Sequence, residues 1–151
     1  MSISTAITRA YEVMHLRNWD TIYWAVDLHG VCMKSNYEEG VHEFISQDAV
    51  DTLRLISSLP ESKIILWSSA YDDQKPAIIE AFAREKIEIF DFNQNLEAAD
   101  TKTGCFQEKF YFSILLDDKA GFEPETDWAV VHATMIRMIL ENKTLYNKEA
   151  A

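Results

Sequence analysis

The stretch Tyr23-Trp24-Ala25-Val26-Asp27-Leu28-His29-Gly30-Val31 decides the fold: an apolar run stops abruptly at an acid, and a glycine follows soon after. Ile22 to Val26 lacks the alternation of a half-wet strand and is too short for a buried helix. It therefore predicts a central strand covered on both faces. Asp27 then stands at the carboxyl end of that strand, the edge of an open parallel sheet where loops are free to hold ligands. Gly30 permits a positive φ or a close approach to the backbone.

Outward from this strand the pattern alternates. Before it, Ile3, Ile7, Ala10, Tyr11 and Met14 recur at helical spacing behind Ser2 and Ser4, predicting a helix over 2–16. After it, the mixed stretch from Val31 to Phe44 reads as a loop or small hairpin insert at about 31–45. Val50, Leu53, Ile56 and Leu59, with Ser46 as cap and Pro60 as stop, predict a helix over 47–59. Ile64 to Trp67 is a second apolar run, ending in the hydroxyls of Ser68 and Ser69. A helix entered through Pro76 follows, with Ile78, Ile79 and Phe82 inward. Ile87 to Phe92 is a third strand candidate, and 93–108 a polar loop. Phe110 to Leu116 is a fourth strand candidate, ending in Asp117-Asp118. Trp128, Val131, Met135, Met138 and Ile139 predict a last helix over 125–142, with a polar, frayed tail after it.

Strands alternating with helices predict an α/β fold, a three-layer sandwich with a mostly parallel central sheet. The 151 residues suit a single domain, 1–151, with enough apolar content, 48%, to bury a core unaided. The net charge of −11 argues against a surface that tracks a nucleic-acid backbone. Cys32 and Cys105 have no metal-ligand spacing, and no apolar run is long enough to span a membrane. The expectation is a soluble cytoplasmic protein with reduced thiols.

Asp27, Ser68 and Asp117-Asp118 each follow an apolar strand directly, so parallel strands bring all three to one sheet edge. Each has a plain structural reading: Asp27 as a turn acid, Ser68 as a helix cap, Lys109 as a surface lysine before a strand, the paired acids as a solvated turn. Their order along the chain, acid, hydroxyl, lysine, paired acids, nevertheless resembles the haloacid dehalogenase-like superfamily of phosphotransferases over roughly 22–118. The resemblance implies that Asp27 is the nucleophile and that Ser68, with Ser69 beside it, binds phosphate. It implies that Lys109 neutralises charge, with Lys102 as a substitute, and that Asp117 and Asp118 hold Mg2+ together with Asp27 and the backbone carbonyl of His29. The implied reaction is phosphoryl transfer from a phosphate monoester, most simply a small molecule, through an aspartyl-phosphate. The absence of a second long insert implies a member without a large cap domain.

One departure concerns His29, which occupies the place where the family usually has a second aspartate as general acid and base. Histidine can do acid–base work near neutral pH. Asp27 beside it would raise the histidine pKa and a bound magnesium ion would oppose that, so the position of the pKa stays open. The alternative is a slow or non-catalytic phosphate-binding module. A response-regulator receiver domain has a similar set of residues but in a different order, with the acidic pair first and the lysine last.

Overall fold

The computed structural model describes residues 1–35, 42–101 and 104–146. In chain order the elements are α1 (Ile3–Leu16), β1 (Ile22–Asp27), α2 (Gln47–Ser58), β2 (Ser62–Trp67), α3 (Lys75–Arg84), β3 (Asp91–Phe92), β4 (Asp100–Thr101), β5 (Gly104–Cys105), β6 (Ile114–Leu116) and α4 (Pro124–Leu140). A parallel four-stranded sheet in the order β3-β2-β1-β6 forms the centre. The α/β class and the parallel sheet expected from the sequence are both present.

Local chemistry explains the helix starts. Ser2 and Ser46 accept the N–H groups of Thr5 and Ala49, satisfying donors that the first turns of α1 and α2 leave open. Pro76 and Pro124 lie in the first turns of α3 and α4, where a missing N–H costs nothing.

The two faces of the sheet are covered differently. Trp24, Val26, Ile64, Leu66, Ile114 and Leu116 join the buried faces of all four helices in one apolar cluster. Tyr23, Ala25 and Ile65 are also buried but point the other way. There Phe90, Glu97 and Tyr111 lie against the face. Tyr23 packs against Phe90 and Tyr111, and Glu97 accepts hydrogen bonds from both Tyr23 and Lys63. Among the described residues no helix is long and apolar enough to cross a membrane.

Two strands are shorter than their apolar runs. Pairing covers only Asp91–Phe92 of the expected 87–92 and only Ile114–Leu116 of the expected 110–116. Phe110, Tyr111 and Phe112, all partly exposed, instead turn their rings onto neighbouring aromatics, so the run reflects aromatic packing without strand pairing. The expected loop over 93–108 contains a 3₁₀ turn, Leu96–Ala98, and the antiparallel β4-β5 pair. In the insert after β1, Met33 pairs antiparallel with Phe44, so its described ends form a hairpin base, while 36–41 lie outside the described residues. The tail expected to fray also lies outside them beyond Tyr146.

Candidate active site

Register builds the site. Asp27 pairs with Trp67, and Val26 with Leu116. Continuing the second register by one residue sets Asp117 beside Asp27 on the same face. Carboxylate oxygens of Asp27, Asp117 and Asp118 lie within 4.8 Å of one another. Three like charges this close, without a cation, repel. Burial first, and then the charges of Asp117 and Asp118, push the Asp27 carboxyl up to about 6, against a small opposing pull from the Leu28 N–H.

The surrounding turns hold these groups rigidly. After β1 the chain folds back at once, with Cys32 and Met33 N–H groups both donating to the Leu28 carbonyl. Trp128 on α4 is fully buried, and its indole N–H donates to the Val31 carbonyl at 2.8 Å, pinning that turn to the helix layer. Gly30 adopts φ +91°, and a Cβ there would meet Asp118 Oδ2 at 3.1 Å. A side chain there would be strained by the backbone conformation and would press on the Asp118 carboxylate. Asp117 caps the 3₁₀ turn at 118–120 by accepting the Lys119 N–H at 2.8 Å, and its main-chain carbonyl accepts the Phe122 N–H.

Ser68 follows β2 on the strand next to Asp27. Its hydroxyl accepts the Ala70 N–H at 3.0 Å, the turn role of a cap. Asn93, with φ +54°, clamps the Ser68 peptide from both sides: its Oδ1 accepts the Ser68 N–H and its Nδ2 donates to the Ser68 carbonyl. Sequence reasoning missed Asn93. An Asn directly after a strand was the available signal, because Asn tolerates the left-handed region and mimics a backbone turn. Ser69 is exposed on the same loop.

Two expected members stand apart. Lys109 is exposed and, among the described residues, makes no ion pair with these carboxylates, while Lys102 lies outside the described residues. His29 is half-buried, and burial first, then the nearby His42, lower its pKa. His42 is the neighbour that acts on His29, while Asp27 does not figure among the causes. The Nδ1 of His42 is buried without a hydrogen-bond partner among the described residues. Cys32, wholly buried, has its thiol pushed well up by burial and by the Asp27 charge, which keeps it unreactive.

A cavity of about 650 Å³ opens at the opposite end of the sheet, lined by Trp19, Tyr23, Phe106 and Tyr111 among others. Its acids are already engaged, Asp20 by the Thr21 hydroxyl and Glu97 by Lys63 and Tyr23. The carboxylate cluster, which makes no ion pair among the described residues, is the better candidate for chemistry.

No protein-family model matches the chain, and no curated protein matches it. A solved structure of a conserved protein coded by a locus from Bacteroides thetaiotaomicron is similar, with a TM-score of 0.58 and 25% identity, covering 83% of this chain and 94% of that one. The likeness supports the α/β architecture with its central parallel sheet.

Proposed function

We propose that the chain is a magnesium-dependent phosphatase or phosphotransferase of the haloacid dehalogenase-like type, acting on a phosphate monoester through an aspartyl-phosphate. The observation that carries this reading is the convergence of Asp27, Asp117 and Asp118 at the carboxyl ends of adjacent strands, within 4.8 Å. An all-carboxylate donor set of hard oxygens fits Mg2+, with waters and substrate oxygens completing its octahedron. Asp27, Asp117 and Asp118 would hold the ion, which when bound screens the repulsion between carboxylate and phosphate and polarises the phosphoryl group.

An Asp27 carboxylate oxygen attacks phosphorus in line, the ester P–O bond breaks, and the leaving alkoxide takes a proton from water. Water then attacks the acyl phosphate, releasing phosphate and restoring the carboxylate. The Ser68–Ser69 loop, fixed by Asn93, lies on the neighbouring strand end to orient phosphate oxygens. His29 would serve as the base toward the attacking water in the second step, where its lowered pKa favours the neutral ring. Both cysteines are free thiols, in keeping with a cytoplasmic protein.

A second reading is a slow or non-catalytic phosphate-binding relative. It is favoured by His29 in place of an acid and by the lack of an ion pair between Lys109 and the carboxylates. Turnover of nitrophenyl phosphate separates the two. We expect Mg2+-dependent release of phosphate that EDTA stops and Asp118→Asn weakens strongly; a parent protein inert with saturating Mg2+ leaves only the binding module.

A further inference from the structure

Trp67 occupies an unusual place. It is the last residue of β2, an interior strand, and is 46% exposed, although Leu66, Ile65 and Ile64 before it are all buried. Its register partner is Asp27. Partners on adjacent strands point to the same face about 4.8 Å apart, so the indole stands beside the carboxylate. Tyr23 and Lys63, register partners on that same face, confirm the parity by sharing Glu97 and Phe90.

The indole is also buttressed. The Phe110 ring lies against it with centroids 5.5 Å apart and planes tilted by 42°, and Phe110 is backed edge-on by Phe112 at 5.8 Å. One side of the indole is therefore fixed by aromatic packing while nearly half of the side chain remains open to solvent. A tryptophan that served only to close the core would bury this area, since burying a large apolar side chain is favourable. Held rigid and left open next to a reacting group, an aromatic face provides a stacking platform.

We infer that Trp67 selects phosphate monoesters whose alcohol carries a planar aromatic or heteroaromatic ring, which stacks on the indole while the phosphate meets Asp27. The inference rests on the phosphatase reading for the identity of the phosphate, and on Trp67 alone for the ring. Two sources supply this chemistry, nucleoside monophosphates and simple aryl-alkyl phosphates.

The test pairs esters with like leaving groups, so that chemistry cancels and only the ring differs. Adenosine 5′-monophosphate is compared with ribose 5-phosphate, and phenethyl phosphate with ethyl phosphate, in the parent, Trp67→Phe and Trp67→Leu. Both kcat/KM with Mg2+ and binding by calorimetry are measured. Stacking of one base predicts a preference of about tenfold for the ringed member of at least one pair. It should appear in KM more than in kcat, be kept by Trp67→Phe and be lost in Trp67→Leu. The pair that shows it identifies the source. Equal rates and affinities in the parent, or a preference that survives Trp67→Leu, overturn the platform and leave the phosphatase reading standing. Ring-selective, Trp67-dependent binding without turnover keeps the platform and overturns the phosphatase. Absence of both turnover and binding overturns both.

Discussion

Asp27→Asn should stabilise the metal-free protein while destroying its response to Mg2+. Burial, and then the charges of Asp117 and Asp118 within 4.8 Å, raise Asp27 from the usual 3.8 to about 6. A raised folded-state pKa on an acid means that the native state binds the proton more tightly than the unfolded chain. Stability is therefore lost as pH rises from about 4 to about 6 and stays lost above. A shift of roughly 2 units corresponds to about 3 kcal/mol. Asp27 is only half-buried, so screening reduces this to about 1–2 kcal/mol. For a chain of this length that is roughly 3–6 °C in melting temperature at pH 7.5. The advantage of the amide should shrink as pH is lowered toward 4.5, where the parent's own carboxyl becomes protonated. With Mg2+ the order reverses: the parent gains about 2.7 kcal/mol at one hundred times its Kd, and the variant gains little. Thermal melts at both pH values, with and without Mg2+, read all of this. A variant that melts lower than the parent without metal at pH 7.5, or that gains as much from Mg2+, would refute the electrostatic account of the cluster.

Other perturbations address the supports of the site. Gly30→Ala and Gly121→Ala both place a side chain at positive φ and should each cost about 1–2 kcal/mol. Only Gly30→Ala, whose Cβ meets Asp118 Oδ2 at 3.1 Å, should also weaken Mg2+ binding in calorimetry, because Gly121 has open space around it. Asn93→Gly keeps the left-handed backbone but removes both hydrogen bonds to Ser68. Denaturant melts should show a loss of about 1–2 kcal/mol, and nitrophenyl phosphate assays about tenfold slower turnover. His29→Asp, which supplies a carboxylic acid beside the leaving oxygen, should speed alkyl phosphates more than nitrophenyl phosphate. Equal changes for both esters would show that His29 takes no part in proton transfer.

The strand ends were legible because buried parallel strands write themselves as unbroken apolar runs, and the first polar residue after each run marks the ligand-bearing edge. Asp27 after Val26 and Asp117 after Leu116 were found this way, and the structure brings them together. The same rule overran at Phe110 to Phe112, where apolar character comes from aromatic packing and not from a ladder. It also hid Trp67, which reads as one more core residue and is in fact half open. Asn93 and Gly30 act through backbone geometry, a clamp on one loop and room for Asp118 on another, and the partners of such residues lie far away in sequence. The His29 environment escaped for the same reason: its neighbour His42 returns from across the insert, a contact that adjacency in sequence does not reveal.

The central claim is that Asp27 becomes covalently phosphorylated. Acid-quenching the protein during turnover with Mg2+ and analysing its peptides by mass spectrometry tests it directly. The account predicts a hydroxylamine-sensitive phosphoryl group on the peptide bearing Asp27, absent in Asp27→Asn and absent with EDTA. Turnover without any phosphorylated peptide, or a label that persists in Asp27→Asn, would contradict it.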